Sequence, residues 1–171
     1  FGLIMEVPTG AISDLMGRKK TILASCILGF IGVMLIASAN STLPIFIGFL
    51  ITQAGWAFYS GSAEAMAYDS LKEKKKDDQY EKVISASGVI GIVTTVVAIL
   101  LGAAMYKYNF RLPHYAWGFA YLFGFIASFW LKEPSIDTEK FSFRNYFRQM
   151  AEGAKQLVTP YLRPYIPIMF A

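Results

Sequence analysis

The sequence predicts an all-α, polytopic membrane bundle. Three observations carry that prediction. Hydrophobic residues make up 55% of the chain and charged residues 16%, where a soluble domain carries about 25% charge. Mean hydropathy is +0.43. Several segments hold the roughly 20 mostly apolar residues that a helix needs to cross the hydrocarbon core. Cations gather in alternate breaks between those segments, the asymmetry that fixes orientation in a membrane.

Residues 1–16 read as the tail of one span, closed by a turn at Gly17 and three consecutive cations, Arg18, Lys19 and Lys20. Lys and Arg in short loops stay inside, so this turn is cytoplasmic. Residues 21–39 form the first whole span. The break at Asn40, Ser41 and Thr42 is short and uncharged and faces outside. Residues 44–71 form a longer span, and the stretch 72–82 after it carries five lysines and faces inside.

Residues 83–106 and 113–131 supply two more spans, with Lys107 and Arg111 the outside cations between them. Tyr106, Tyr108, Tyr115 and Trp117 mark the outer boundary and Trp130 the inner one, as aromatic belts do. The long polar stretch 132–159 opens with Pro134 closing the preceding helix. Within it Phe143, Phe147, Met150, Ala154 and Leu157 recur at helical spacing, with Arg144, Arg148, Glu152 and Lys155 off that face. Two readings fit: an amphipathic helix on the inner membrane surface, or one packed on cytoplasmic loops. Residues 164–171 begin another span. Both chain ends fall inside apolar segments and no signal-peptide pattern is present, so a piece of a longer polypeptide is expected.

Several functions are excluded by what the residues lack. Cys26 is the single cysteine and lies within a span, so it forms no intrachain disulfide and reads as a small buried residue. His114 stands in an outer loop without a second His or Cys nearby and reads as a solvated loop residue rather than a metal ligand or proton relay, and no metal site is expected. There is no zinc-binding His–Glu–x–x–His, no Gly-rich phosphate loop and no Ser with a candidate His, so no enzyme is expected. The net charge of +4 comes from cytoplasmic loops, which meet lipid headgroups rather than nucleic acid.

The acids are the informative residues. Asp14 lies at the C-terminal end of a helix, where the negative dipole end repels it, so it needs a partner. On the span 44–71, Gly48, Gly55, Ser62 and Asp69 recur every seven residues. Small stripes let membrane helices pack closely, and Asp69 emerges at the inner end of that face. A second stripe runs Gln53, Ser60, Glu64. An acid at membrane depth costs about 2.5–3.5 kcal/mol on insertion scales, so Glu64 needs a reason. Removal from water favours the protonated form of a carboxyl group, which suits proton coupling. A structural hydrogen bond to a neighbouring helix is the alternative. Glu6, beside Pro8, is the second candidate for either role. Trp56, Phe58 and Tyr59 line a cavity or simply pack. In the span 83–106, Gly88, Gly91, Thr95, Ala98 and Gly102 form a small seam that reads as a packing face.

The run from Gly10 to Lys20 has the pattern G-x-x-x-D-x-x-G-R-K-K, with Gly10, Asp14, Gly17, Arg18, Lys19 and Lys20 at its fixed positions. It resembles the signature loop between the second and third helices of the major facilitator superfamily of secondary transporters. Leu15 departs from the Arg or Lys usual there. The preceding run Glu6, Val7, Pro8, Thr9, Gly10 is similar to a bacterial, efflux-like branch. No Gly-Pro-rich antiporter signature occurs around Thr94 and Thr95.

The resemblance implies part of a 6+6 helix fold. Residues 1–133 would hold helices two to six of the first half, 134–158 the cytoplasmic central linker, and 159–171 the start of helix seven. It implies a relay of Asp14, Arg18 and Asp69 on the inner face, with Asp14 also meeting the N-terminus of an eleventh helix to hold the inner gate shut. It further implies a multi-pass transporter of the cell's inner membrane, working by alternating access. The expected activity is proton-coupled efflux of hydrophobic or drug-like compounds, with no cofactor besides the proton gradient. Uptake of a sugar or peptide is the alternative, and a non-transporting scaffold or receptor a third. The expected partners are a small-molecule substrate, the bilayer and the remaining helices of the same polypeptide.

Overall fold

The computed structural model describes residues 16–135. The spans read at both chain ends, the amphipathic helix, and Glu6, Gly10 and Asp14 lie outside the described residues. Four helices follow one another: α1 (Arg18–Ser38), α2 (Thr42–Glu73), α3 (Tyr80–Tyr106) and α4 (Leu112–Ser128). No strand occurs among the described residues. The first three are long and apolar enough to cross a membrane. With 17 residues, α4 is about 25 Å long, at the short end of what a span requires.

Local chemistry sets the boundaries. Gly17 stands just before α1 with φ of 93°, a left-handed conformation that favours glycine. Pro44 falls in the first turn of α2 and Pro113 in that of α4, where a missing N–H leaves no helical bond unmade. Beyond Glu73 the chain closes α2 with paired bonds, Lys76 N–H to Leu71 O at 2.9 Å and Lys75 N–H to Lys72 O at 2.9 Å. This is a Schellman stop with Lys75, φ 55°, where glycine is usual. A 3-10 turn at Asp77–Gln79 leads into α3. The inside loop is therefore shorter than the lysine run suggests, because α2 and α3 each reach into it.

At 32 residues, α2 would measure about 48 Å against a hydrocarbon core of about 30 Å. Its polar last turns, with Asp69 and Glu73, project beyond the core.

Helix α1 sits centrally, against α2 along its length and against α4. Close approach comes from glycine. A Cβ on Gly32 would lie 2.6 Å from Gly48 O, and one on Gly48 would lie 2.6 Å from Gly32 O. One on Gly55 would meet Gly29 N and Ser25 O, each at 3.0 Å. The stripe of Gly48, Gly55 and Ser62 is buried, as its spacing indicates. Ile22, Cys26, Val33, Ala37, Ala57 and Met66 complete the buried apolar core. Hydroxyls within the spans bond back to their own helix, as Ser25 Oγ does to Ile22 O at 2.7 Å and Thr52 Oγ1 to Gly48 O at 2.8 Å. Each donor is thereby satisfied without water.

Helix α3 departs from expectation. It holds no buried residue, and a Cβ on Gly88 or Gly91 would meet nothing within 4 Å. Among the described residues its small seam meets α4 at Gly102, where a Cβ would lie 4.0 Å from Pro113, and is open at Gly88 and Gly91. The periodicity shows that one side of α3 is smooth; it does not say which neighbour uses it.

Candidate functional site: a charged clasp and an aromatic groove

The start of α1 is an electrostatic problem. Arg18, Lys19 and Lys20 crowd the positive end of the helix dipole, and the first turn contains no acid. Residues distant in sequence supply the anions. The Arg18 Nε lies 3.5 Å from Asp69 Oδ2 on α2, with both side chains 21% exposed. Partial shielding of this kind limits screening by salt, which weakens fully exposed pairs. Glu133, just beyond α4, accepts the Arg18 backbone N–H at 2.6 Å and the Lys19 backbone N–H at 2.8 Å. The Lys19 ammonium donates to Phe129 O at 2.8 Å, and Lys20 is exposed.

The structure thus brings Gly17, Arg18, Lys19 and Asp69 together, with Gly17 buried beneath the Glu133 carboxylate. Glu133 escaped the sequence reading, which took it only as part of the polar stretch 132–159. Its signal, an acid directly before Pro134 at the end of a span, becomes informative only when the start of α1 is known to be adjacent.

The second arrangement is a groove of about 410 Å³ between α2 and α3. From α2, Trp56, Tyr59, Ser60 and Glu64 line it; Val83 and Ser87 face them from α3. The Trp56 and Tyr59 rings lie 5.8 Å apart and tilted by 35°. Ser60 Oγ donates to Ala57 O at 3.4 Å. Glu64 is exposed and lines the groove. Gln53, half-buried, does not line it. Trp56 and Tyr59 also border a second cavity of about 490 Å³, with Ser25, Cys26, Trp117 and Tyr121. Aromatic faces attract organic cations, and a carboxylate beside them adds charge.

At the outer end, Arg111 Nη2 donates to Asn40 Oδ1 at 2.6 Å and to Ala39 O at 3.2 Å. This ties the α3–α4 turn to the α1–α2 turn.

Long apolar helices, a charged clasp at one end and an acid on an aromatic groove define a multi-span helical membrane bundle. Residues 1–169 match the sequence pattern of the Major Facilitator Superfamily, and the chain belongs to that family of transporters rather than to an enzyme family. It is 29% identical over 129 residues to an uncharacterized transporter, BU466, of Buchnera aphidicola subsp. Acyrthosiphon pisum. It is 27% identical over 129 residues to an uncharacterized transporter of Buchnera aphidicola subsp. Schizaphis graminum. Each match covers 75% of this chain and 28% of the relative. No solved structure gives a significant match.

Proposed function

We propose that the full-length protein is a secondary transporter of the cell's inner membrane. It works by alternating access and expels hydrophobic, drug-like cations in exchange for protons. The groove at Glu64 is the observation that supports this reading. A carboxylate holds either a proton or an organic cation's charge, and Trp56 and Tyr59 offer the π-faces such a cation prefers. Binding of the cation from the inside displaces the proton, and a proton arriving from outside displaces the cation. Competition for one group couples the two fluxes.

The clasp serves the gate in this scheme. Asp14, Arg18 and Asp69 form a relay that holds the cytoplasmic side shut, so neutralising Asp69 favours the inward-open state. Residues 1–133 belong to the first half-bundle, 134–158 to the linker and 159–171 to the second half.

Inside-out vesicles carrying the full-length protein test the coupling. With an acidified lumen and a pH-sensitive dye, tetraphenylphosphonium is expected to draw protons out in wild type and not in Glu64→Gln. A proton response to neutral sugars instead, with none to tetraphenylphosphonium, would replace efflux by nutrient uptake.

A further inference from the structure

Residues 129–135 form a strap across the cytoplasmic ends of the helices. Phe129 O takes the Lys19 ammonium at 2.8 Å, and Glu133 takes the first two N–H groups of α1 at 2.6 and 2.8 Å. Pro134 is buried, and Ser135 Oγ donates to Glu73 Oε1 at the end of α2, 2.8 Å away. The strap therefore grips both helices that carry the Arg18–Asp69 pair: α1 at the backbone of Arg18 itself and of Lys19, α2 four residues beyond Asp69.

The grip on α1 is specific. Gly17 provides no side-chain cap, so the orphan N–H groups at this helix start need an acceptor from elsewhere. Glu133 supplies one from 115 residues away along the chain. Its two oxygens engage consecutive N–H groups, which fixes both position and rotation of the first turn. A carboxylate there also offsets three cations at the positive dipole end. The missing Cβ of Gly17 makes room, because one built there would lie 3.0 Å from Glu133 Oε1.

We infer that Glu133 is a positioning residue for the cytoplasmic gate: by holding the backbone of Arg18 and Lys19 it aims the Arg18 guanidinium at Asp69, and so holds the gate shut. Glu133 touches no substrate and acts through the ion pair. The inference rests on the gating role proposed above for Arg18 and Asp69.

The test uses the full-length protein with its cysteines, Cys26 included, replaced by serine and a reporter placed by Ala63→Cys. Ala63 lines the groove one turn from Tyr59. In inside-out vesicles the labelling rate with a membrane-impermeant maleimide reads how often the cytoplasmic side is open. Glu133→Gln is expected to raise that rate about tenfold, in line with loss of a charge-assisted, two-pronged cap. Glu133→Asp, which keeps the charge, should recover part of the closed state. In an Asp69→Asn background, Glu133→Gln should add less than about twofold, since coupled residues are non-additive.

Gly17→Ala displaces the same carboxylate and provides a second perturbation, expected to behave alike. Unchanged labelling in Glu133→Gln and Gly17→Ala, with Asp69→Asn raising it, would overturn the positioning role and leave the gate intact. A full Glu133→Gln effect in the Asp69→Asn background would also overturn it, by showing general loosening. No effect from Asp69→Asn itself would remove the gate reading and this inference with it.

Discussion

Gly32→Ala perturbs the tightest seam of the bundle by one methyl group. The new Cβ would lie 2.6 Å from Gly48 O and 2.8 Å from Thr52 N, and against Thr52 Oγ1, whereas ordinary contact begins at 3.4 Å. Two of these three are backbone atoms of α2, so no rotamer change removes the overlap. The helices must part by about 0.8 Å, the difference between 3.4 and 2.6 Å. A gap of that size forfeits about a quarter to a half of each dispersion contact along the seam. Overpacking of this kind costs about 1–3 kcal/mol, and alanine's helix propensity returns up to about 1 kcal/mol. A net loss of about 1–2 kcal/mol follows, or a Tm lowered by about 2–8 °C at about 2–4 °C per kcal/mol.

Cys26, 8% exposed between the helices, makes the assay direct. A thiol-reactive fluorogenic dye added to the detergent-solubilised full-length protein reports unfolding as Cys26 becomes accessible. Gly61→Ala is the comparison, because a Cβ there meets nothing within 4 Å. It should leave Tm unchanged or raise it. Equal Tm values for Gly32→Ala and Gly61→Ala would refute the claim that α1 and α2 meet backbone to backbone.

Three further outcomes are expected. Lys75→Gly should stabilise the protein by about 1 kcal/mol, since a side chain at φ 55° bears a left-handed penalty of about 1–2 kcal/mol that glycine lacks; the same thermal assay reads it. Arg111→Ala should remove both bonds to the α1–α2 turn at about 0.5–1.5 kcal/mol for each neutral partner, seen as faster hydrogen exchange of the amides around Asn40. Trp56→Ala should weaken tetraphenylphosphonium binding to the full-length protein by about 0.5–2 kcal/mol, the range of one cation–π contact, measured by equilibrium dialysis.

How much of this was readable beforehand depends on the range of each interaction. Membrane helices were legible because length, apolarity and loop charge are properties of contiguous residues, and α1 to α3 lie within a few residues of their expected bounds. The Gly48–Gly55–Ser62 face was legible for the same reason: a repeat of seven is a local pattern, and α1 uses it. The equivalent seam on α3 shows the limit. Gly88 and Gly91 have the right spacing, but spacing cannot name a neighbour. Arg18 and Asp69 could be paired in advance only through the resemblance of the Gly10–Lys20 loop to the family signature, which implies an acid at this helix end opposite the loop arginine. Glu133 could not, since nothing local distinguishes a capping carboxylate from another linker acid.

The length of α2 has a mechanical consequence. Asp69 lies about 32 Å along the helix from Gly48, and a tilt of about 10° pivoting at Gly48 would sweep it sideways by about 5 Å. That exceeds the 3.5 Å separating Arg18 from Asp69. A rod anchored near one surface and clasped at the other is a lever, and its long arm ends on an ion pair. A reorientation too slight to disturb the glycine seam at Gly48 would be large enough at Asp69 to make or break the clasp.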